Sequence, residues 1–425
     1  MSRTQVTTIL LVAFSIVIDG FDVQSMGFVA PSIIKTWSTS RADLGPVFAA
    51  SLIGMMLGSI ALGPLADRIG RRPVLIASTL LVSICMLASA ATQTLFQLLV
   101  LRFLTGASLG GIMGNAIALV GELTPKHKRT SLMMWVSAGF TMGAAFGGVV
   151  ASVLLPIAGW RGVFIFGGAL PLLLSLLMLA YLQESPSFLV MKGSATHSRL
   201  RALMEKIDPD LRLSACTTYV FRRSRNGPVS PLDLLRARLA RTTLLLWATN
   251  FLNLLNLFFL ANWLPTIAID LGFDAVSSTL IGTSLQVGGI IGTFAMGPLI
   301  DRQGFFRVLA PIYLIAVASI VGLAHLPAGS IGLALLSVSA TGFAIVGGQP
   351  AINAMSANAY PADLRATGVS WCLGIGRAGS IAGPLIAAQL LQMRWTPQEL
   401  FSLAAAPVLV SILLIYLLQP KDREE

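Results

Sequence analysis

The chain has 425 residues, of which 55% are hydrophobic and only 11% are charged, with a formal net charge of +11. Soluble globular chains are usually about a quarter charged, so the composition excludes an ordinary soluble domain. Apolar runs of about 20 residues recur along the chain, and each is long enough to cross a ~30 Å hydrocarbon core as a helix. The three cysteines have no paired spacing and the three histidines are scattered, so neither a disulfide framework nor a metal site is predicted. The sequence predicts an all-α, multi-pass membrane protein.

Twelve membrane spans are predicted from these apolar runs. They lie near residues 7–30, 45–66, 73–91, 95–120, 131–155, 160–182, 241–265, 277–300, 306–325, 329–352, 366–391 and 398–418. We expect three parts: an N-terminal six-helix half (1–182), a polar linker with some helix (183–240) and a C-terminal six-helix half (241–425). Lys and Arg crowd the connections after the even-numbered spans, which predicts that both termini and the linker are cytoplasmic. This topology accounts for the positive charge without nucleic-acid binding.

The first span carries two carboxylates, Asp19 and Asp22, inside the apolar stretch FSIVIDGFDVQSMG. A charged group at the bilayer centre costs about 2.5–3.5 kcal/mol and is normally paired and functional. The two residues share a helix face because they are three apart. Arg102 lies in span 4 at a depth that agrees with that of Asp22, at about 1.5 Å per residue.

We hypothesise that Asp22 and Arg102 are partners and that Asp19 completes a proton-coupling site. A carboxylate whose distance from an arginine changes during a transport cycle binds a proton in one state and releases it in the other. The alternative is a static ion pair that holds spans 1 and 4 together.

An internal repeat divides the chain into two halves. The sequence GPLADRIGRRPVL (Gly63–Leu75) recurs as GPLIDRQGFFRVL (Gly297–Leu309), 234 residues later. ELTPKHKR (Glu122–Arg129) is echoed by NAYPADLR (Asn358–Arg365) at an offset of 236. Two six-span halves in parallel repeat are therefore predicted, and folds of this kind place the substrate between the halves near the midplane. The 234-residue offset maps Asp19 and Asp22 onto Asn253 and Asn256, so the acidic pair belongs to the N-terminal half.

Charged residues in the repeated loops predict a network on the cytoplasmic side. It would hold the two halves together and break as they rock apart. Its predicted members are Asp67, Arg71, Arg72, Glu122, Arg129, Asp301, Arg302 and Arg365. Together, the repeated Gly/Asp/Arg loop and the twelve spans resemble the major facilitator superfamily over essentially the whole chain.

A narrower resemblance rests on three motifs: Asp-Gly-Phe-Asp in span 1, RFLTGASLGG in span 4 and GIGRAGSIAGP in span 11. Together they resemble the aromatic acid:proton symporter family, whose members import aromatic carboxylates into bacteria. The resemblance implies functional roles for Asp19, Asp22, Arg102, Glu122 and Arg377. For Glu122, a structural role in the charge network is the alternative.

The chemistry of an aromatic carboxylate fits the polar residues of the predicted spans. Arg377 can bind a carboxylate with bidentate geometry, or it can bond backbone carbonyls of its glycine-rich helix. Trp263 can form an aromatic wall or anchor the helix at the membrane interface. Amide groups can bind ring hydroxyls or form interhelical packing bonds. The candidates are Asn253, Asn256, Gln286, Gln349 and Asn353.

We therefore expect a proton-coupled importer that works by alternating access, and not an enzyme. The expected substrates are small aromatic carboxylates such as 4-hydroxybenzoate, protocatechuate, benzoate or vanillate. The other partners expected are protons and the lipid bilayer, with no nucleic acid and no cofactor beyond the coupling proton. A monomer in the bacterial cytoplasmic (inner) membrane is expected. The alternatives are a proton-coupled exporter of drugs or metabolites and an importer of nicotinate, shikimate or a dicarboxylate.

Overall fold

A computed structural model of the chain describes residues 1–125, 129–192, 197–207, 234–235, 237–325, 330–360 and 364–419. These residues form fourteen α-helices. In chain order they are α1 (Arg3–Trp37), α2 (Arg41–Ile69), α3 (Arg71–Ala90), α4 (Leu95–Leu109), α5 (Met113–Leu123), α6 (Arg129–Tyr181), α7 (Pro186–Met191), α8 (His197–Ile207), α9 (Ala237–Asp270), α10 (Ala275–Gln303), α11 (Phe305–Ala324), α12 (Ile331–Ala359), α13 (Arg365–Gln392) and α14 (Pro397–Leu417).

The predicted all-α membrane fold is confirmed. Among the described residues, ten helical stretches are long and apolar enough to cross a membrane. One of them, Leu132–Tyr181, has 50 residues and is interrupted at Gly159, where φ is 63°, so it has the length of two spans. The 28-residue α13 is not among the ten because glycines and Arg377 lower its hydropathy, but it has a span's length. Counting the long stretch twice and adding α13 gives the twelve predicted spans.

The internal repeat is visible in the helix boundaries. Helices α2 and α3 begin and end 234 residues before α10 and α11. Helix α13 begins 236 residues after α6. At the matching α2–α3 and α10–α11 turns, Gly70 and Gly304 have φ values of 108° and 81°, a region that residues with a Cβ atom rarely adopt. The repeated glycine is therefore required by the turn.

Contacts divide the chain into two compact units. Unit 1 contains Met1–Val23, Ala50–Ala144 and Arg161–Arg225. Within it, α3 packs against α4 and α5, and α7 packs against α5 and α8. A small apolar cluster of Leu189, Leu200 and Leu203 joins α7 to α8.

Unit 2 contains Gln24–Ala49, Ala145–Trp160 and Asn226–Glu425. Its main helix pairs are α10 with α12, α9 with α13 and α11 with α14. Helix α10 begins after Asp274, whose carboxylate accepts hydrogen bonds from the Val276 and Ser277 N–H groups and from the Ser277 hydroxyl. The hydrogen bond from the Ser277 hydroxyl is the main reason why the pKa of Asp274 lies below its ordinary value.

Glycines bring equivalent helix pairs into close contact in both units. A Cβ atom on Gly106 of α4 would lie 1.9 Å from the Ser51 carbonyl oxygen of α2. In the repeat, a Cβ atom on Gly342 of α12 would lie 1.9 Å from the Leu285 carbonyl oxygen of α10. Small residues allow such backbone-to-backbone packing in membranes. This packing fixes the helices that carry the polar residues described next.

Candidate proton and substrate sites

Arg102 and Asp22 form a fully buried ion pair inside unit 1. Arg102 Nη1 donates to Asp22 Oδ1 and Arg102 Nη2 donates to Asp22 Oδ2, each at 2.7 Å. The relative exposures of the two side chains are 1% and 0%. Bidentate geometry adds direction as well as strength to the attraction. The pairing expected from the depths of spans 1 and 4 is confirmed, whereas its role in proton coupling stays a prediction.

Close helix packing holds the pair in place. Gly20 of α1 lies against the Phe140 carbonyl of α6, where a Cβ atom would come within 1.8 Å of the oxygen. The Ser51 hydroxyl of α2 lies 3.5 Å from Arg102 Nη2. Asp19 lies one turn before Asp22 on α1 and is 1% exposed. Three ionisable side chains thus lie buried on helices long enough to cross a membrane, two of them acidic.

A chain of amide side chains, which we call the amide ladder, joins α9 to α12 inside unit 2. Asn253 Nδ2 donates to Gln349 Oε1 at 2.7 Å. Gln349 Nε2 then donates to Asn250 Oδ1 at 2.7 Å and to Asn353 Oδ1 at 3.1 Å. At the other end, the Tyr313 hydroxyl of α11 donates to Asn253 Oδ1 at 2.8 Å. The ladder therefore brings together three of the predicted substrate residues, Asn253, Gln349 and Asn353.

The other two predicted amides bond elsewhere in unit 2. Asn256 Nδ2 donates to the Ala404 carbonyl at 2.6 Å, a bond between α9 and α14. Gln286 Nε2 donates to Gln24 Oε1 at 3.0 Å. Both residues are buried, with exposures of 2% and 4%. Their contact with substrate stays a prediction.

Arg377 and Trp263 differ in their accessibility. Arg377 is half-buried on α13 and follows Gly376, which packs against Asn250. Trp263 is 0% exposed, its Nε1 donates to the Pro384 carbonyl at 3.1 Å, and its ring meets Phe48 edge-on. The interpretation of Trp263 as an interfacial anchor is wrong, because the surrounding helices cover the ring completely.

Part of the predicted charge network forms inside unit 1. Arg71 Nη1 pairs with Glu122 Oε1, and the Ser185 hydroxyl donates to Glu122 Oε2. Glu184 Oε1 accepts hydrogen bonds from the backbone N–H groups of Arg71 and Arg72 at 2.9 and 3.1 Å. These bonds provide acceptors for two N–H groups in the first turn of α3. These contacts join α3, α5 and α7 within unit 1. The bridging between halves that we predicted for Arg71, Arg72 and Glu122 stays a prediction.

Among the remaining members of the predicted network, those whose side chains the structure describes are not part of this cluster. Asp67, Asp301 and Arg302 are exposed, and within the described part of the chain none of them forms an ion pair. The side chains of Arg129 and Arg365 lie outside the described residues. Arg72 Nη2 donates instead to the Leu179 carbonyl at 2.6 Å.

Several residues with clear structural roles are absent from the sequence-based predictions. Glu184 and Ser185 lie in QESPSFL, where Ser followed by Pro indicates the start of α7, as the structure shows. Asn250 lies one turn before Asn253, and this spacing places it on the same helix face. No sequence pattern indicates Tyr313 or Gln24, since their roles depend on neighbours distant in the chain.

Comparison with known proteins decides the family. Residues 12–348 and 246–425 match the family described as Major Facilitator Superfamily. The chain belongs to the major facilitator superfamily. It is a multi-pass membrane transporter rather than an enzyme.

Several relatives within the superfamily are named as transporters of aromatic acids. The chain is 37% identical to the 4-hydroxybenzoate transporter PcaK of Pseudomonas putida, over 96% of this chain and 91% of the relative. It is 38% identical to a gallate transporter of Pseudomonas putida, over 96% and 90% of the two chains. The predicted resemblance to aromatic acid transporters is thus confirmed. A crystal structure of a D-xylose-proton symporter has the same fold, with a TM-score of 0.74, 15% identity and 99% of each chain covered.

Proposed function

We propose that this transporter imports a small aromatic carboxylate together with protons across a bacterial cytoplasmic membrane, with both of its termini in the cytoplasm. The candidate substrates are 4-hydroxybenzoate, protocatechuate, benzoate and vanillate. The relatives named for 4-hydroxybenzoate and gallate transport support this substrate class. The positive-inside distribution of Lys and Arg supports the orientation.

The observation that carries proton coupling is the buried bidentate pair of Asp22 and Arg102, with buried Asp19 one turn away. Protonation of Asp22 would neutralise the carboxylate and leave the buried Arg102 without its bidentate counter-charge. Leaving one member of a buried pair unmatched is strongly unfavourable. Proton binding therefore favours a rearrangement of α1 against α4, which is the element of the mechanism that links a proton to a conformational change.

The substrate would be held in unit 2. Half-buried Arg377 offers a guanidinium for the carboxylate, and Asn353 is a half-buried amide at the end of the amide ladder. A monoanion that moves with one proton is electroneutral. With two protons, the membrane potential contributes about 2.3 kcal/mol per charge per 100 mV.

Uptake by purified protein in liposomes tests this proposal. An imposed inward proton gradient should drive labelled 4-hydroxybenzoate above its equilibrium level, and a protonophore should abolish the accumulation. Failure to accumulate any of the four candidate acids would contradict the substrate class. Proton-driven movement of the acid in the opposite direction would contradict import.

A further inference from the structure

We infer that Asn353 donates a hydrogen bond to the ring-hydroxyl oxygen of the substrate, and that Gln349 is a positioning residue that fixes the orientation of the Asn353 amide. This inference rests on the proposed function, because it concerns how an aromatic carboxylate is recognised. It assigns different roles to two residues that sequence analysis treats alike.

Two backbone carbonyls determine which end of each amide in the ladder donates hydrogen bonds and which end accepts them. Asn253 Nδ2 donates to the Ile345 carbonyl at 3.2 Å, and Asn250 Nδ2 donates to the Cys372 carbonyl at 2.6 Å. A carbonyl oxygen only accepts hydrogen bonds, so each amide must turn its nitrogen toward its carbonyl. Asn250 consequently presents its oxygen to Gln349, and Asn253 presents an N–H group to Gln349.

The orientation of Gln349 follows from both neighbours. Its Oε1 must face the Asn253 N–H group and its Nε2 must face the Asn250 oxygen, which is the arrangement observed. An amide nitrogen carries two N–H groups. The first is used by Asn250 and the second by Asn353 Oδ1, so Gln349 has no N–H group left for a substrate.

Tyr313, at the opposite end of the ladder from Asn353, supports the same direction of hydrogen bonding. Its hydroxyl donates to Asn253 Oδ1, which keeps the Asn253 nitrogen turned toward α12. Tyr313 is 1% exposed, and Gly348 leaves room for it: a Cβ atom there would lie 3.1 Å from the hydroxyl. Every bond from Tyr313 to Asn353 therefore runs in one direction.

Asn353 is the end of the ladder. Because Gln349 donates to its Oδ1, the Asn353 amide must present its Nδ2 group away from Gln349. Asn353 is half-buried, and among the described residues its Nδ2 donates no hydrogen bond. Two N–H donors held in a fixed direction favour an oxygen acceptor. Since Arg377 is the proposed partner of the carboxylate, the ring hydroxyl is the acceptor assigned to Asn353.

Uptake kinetics with two substrates in proteoliposomes test the inference. Asn353→Ala should raise the KM for 4-hydroxybenzoate about threefold to tenfold, as expected for one lost hydrogen bond between neutral groups. The KM for benzoate, which lacks the hydroxyl, should not change. Gln349→Met keeps the side-chain length without the N–H groups, and it should raise only the 4-hydroxybenzoate KM, by a smaller factor than Asn353→Ala because the Asn353 N–H groups remain.

Two matched controls lie outside the ladder. Asn262→Ala removes a buried amide of α9 that bonds within its own helix, and Tyr360→Phe removes a buried hydroxyl that bonds Thr243. Both should leave the ratio of the two KM values unchanged. Retained benzoate uptake shows that each variant is folded.

Three results would overturn the inference. An equal rise in both KM values for Asn353→Ala would assign that residue to the carboxylate or to packing. An unchanged 4-hydroxybenzoate KM would show that Asn353 makes no contact. If the unmodified protein transports neither acid, the proposed function fails and this inference fails with it. If it transports both acids but Asn353→Ala leaves the ratio of the two KM values unchanged, only the inference is overturned.

Discussion

At the scale of single residues, the Asp22–Arg102 pair is the feature on which the account depends. Its pairing follows from the sequence because both residues are charged, and because counting residues from the predicted membrane surfaces places them at matching depths. The amide ladder does not follow in the same way. Asn250 and Tyr313 are uncharged, and their partners lie 99 and 60 residues away.

The energetic coupling between Asp22 and Arg102 can be measured directly. Asp22→Asn alone should lower the free energy of unfolding by about 3–5 kcal/mol, because Arg102 then stays buried without its counter-charge. Adding Arg102→Gln should recover most of that loss, since both charges are then removed. Thermal unfolding in detergent micelles provides the comparison. Additive losses in the double variant would contradict a coupled pair.

Asp19 has a separate expected role as the second acidic group. Asp19→Asn should abolish accumulation of substrate against its gradient while leaving exchange of labelled for unlabelled substrate, which needs no net proton movement. Undiminished accumulation by this variant would exclude Asp19 from proton coupling.

At the scale of secondary-structure elements, hydropathy predicts the helices well and their interruptions poorly. The turns at Gly70 and Gly304 are indicated by the repeated motif. The interruption between α4 and α5 is not predicted, since apolar residues continue through it. It falls at Gly110, which packs against α2, and Gly111, which packs against Ser78 of α3 and Leu62 of α2. Glycine-containing pairs are recognised sites of helix kinks.

Close packing of α10 on α12 leads to a paired prediction. A Cβ atom on Gly288 would lie 2.0 Å from the Ser339 carbonyl oxygen, so Gly288→Ala should destabilise the protein by about 1–3 kcal/mol. Gly297 lies in the same helix with nothing within 4 Å of its Cβ position. Gly297→Ala should therefore be neutral or stabilise by up to about 1 kcal/mol. Equal melting temperatures for the two variants would contradict this packing.

At the scale of the whole molecule, the internal repeat and the twelve spans are predictable because each repeats a strong local signal. The contacts that define unit 2 are not. Gln24 of α1 donates to the Ala261 carbonyl of α9 and accepts from Gln286 of α10, and Arg41 of α2 pairs with Asp270 of α9. The partners in these contacts lie 237, 262 and 229 residues apart, and no local sequence signal indicates such distant pairs.

We expect the contact between Arg41 and Asp270 within unit 2 to break during the proposed transport cycle. A disulfide between Arg41→Cys and Asp270→Cys, with the native cysteines replaced, should stop uptake, and a reductant should restore it. Each single cysteine variant under the same oxidant serves as the control. Full uptake with the disulfide formed would show that this contact persists throughout transport.

The central claim is that Asp22 and Arg102 couple protons to the movement of an aromatic acid. The most direct test is to add 4-hydroxybenzoate to proteoliposomes that hold an internal pH dye, with no gradient imposed. The unmodified protein should acidify the lumen as the acid enters. The Asp22→Asn/Arg102→Gln variant should exchange labelled acid but move no protons. Acidification by that double variant at the unmodified rate would contradict the account.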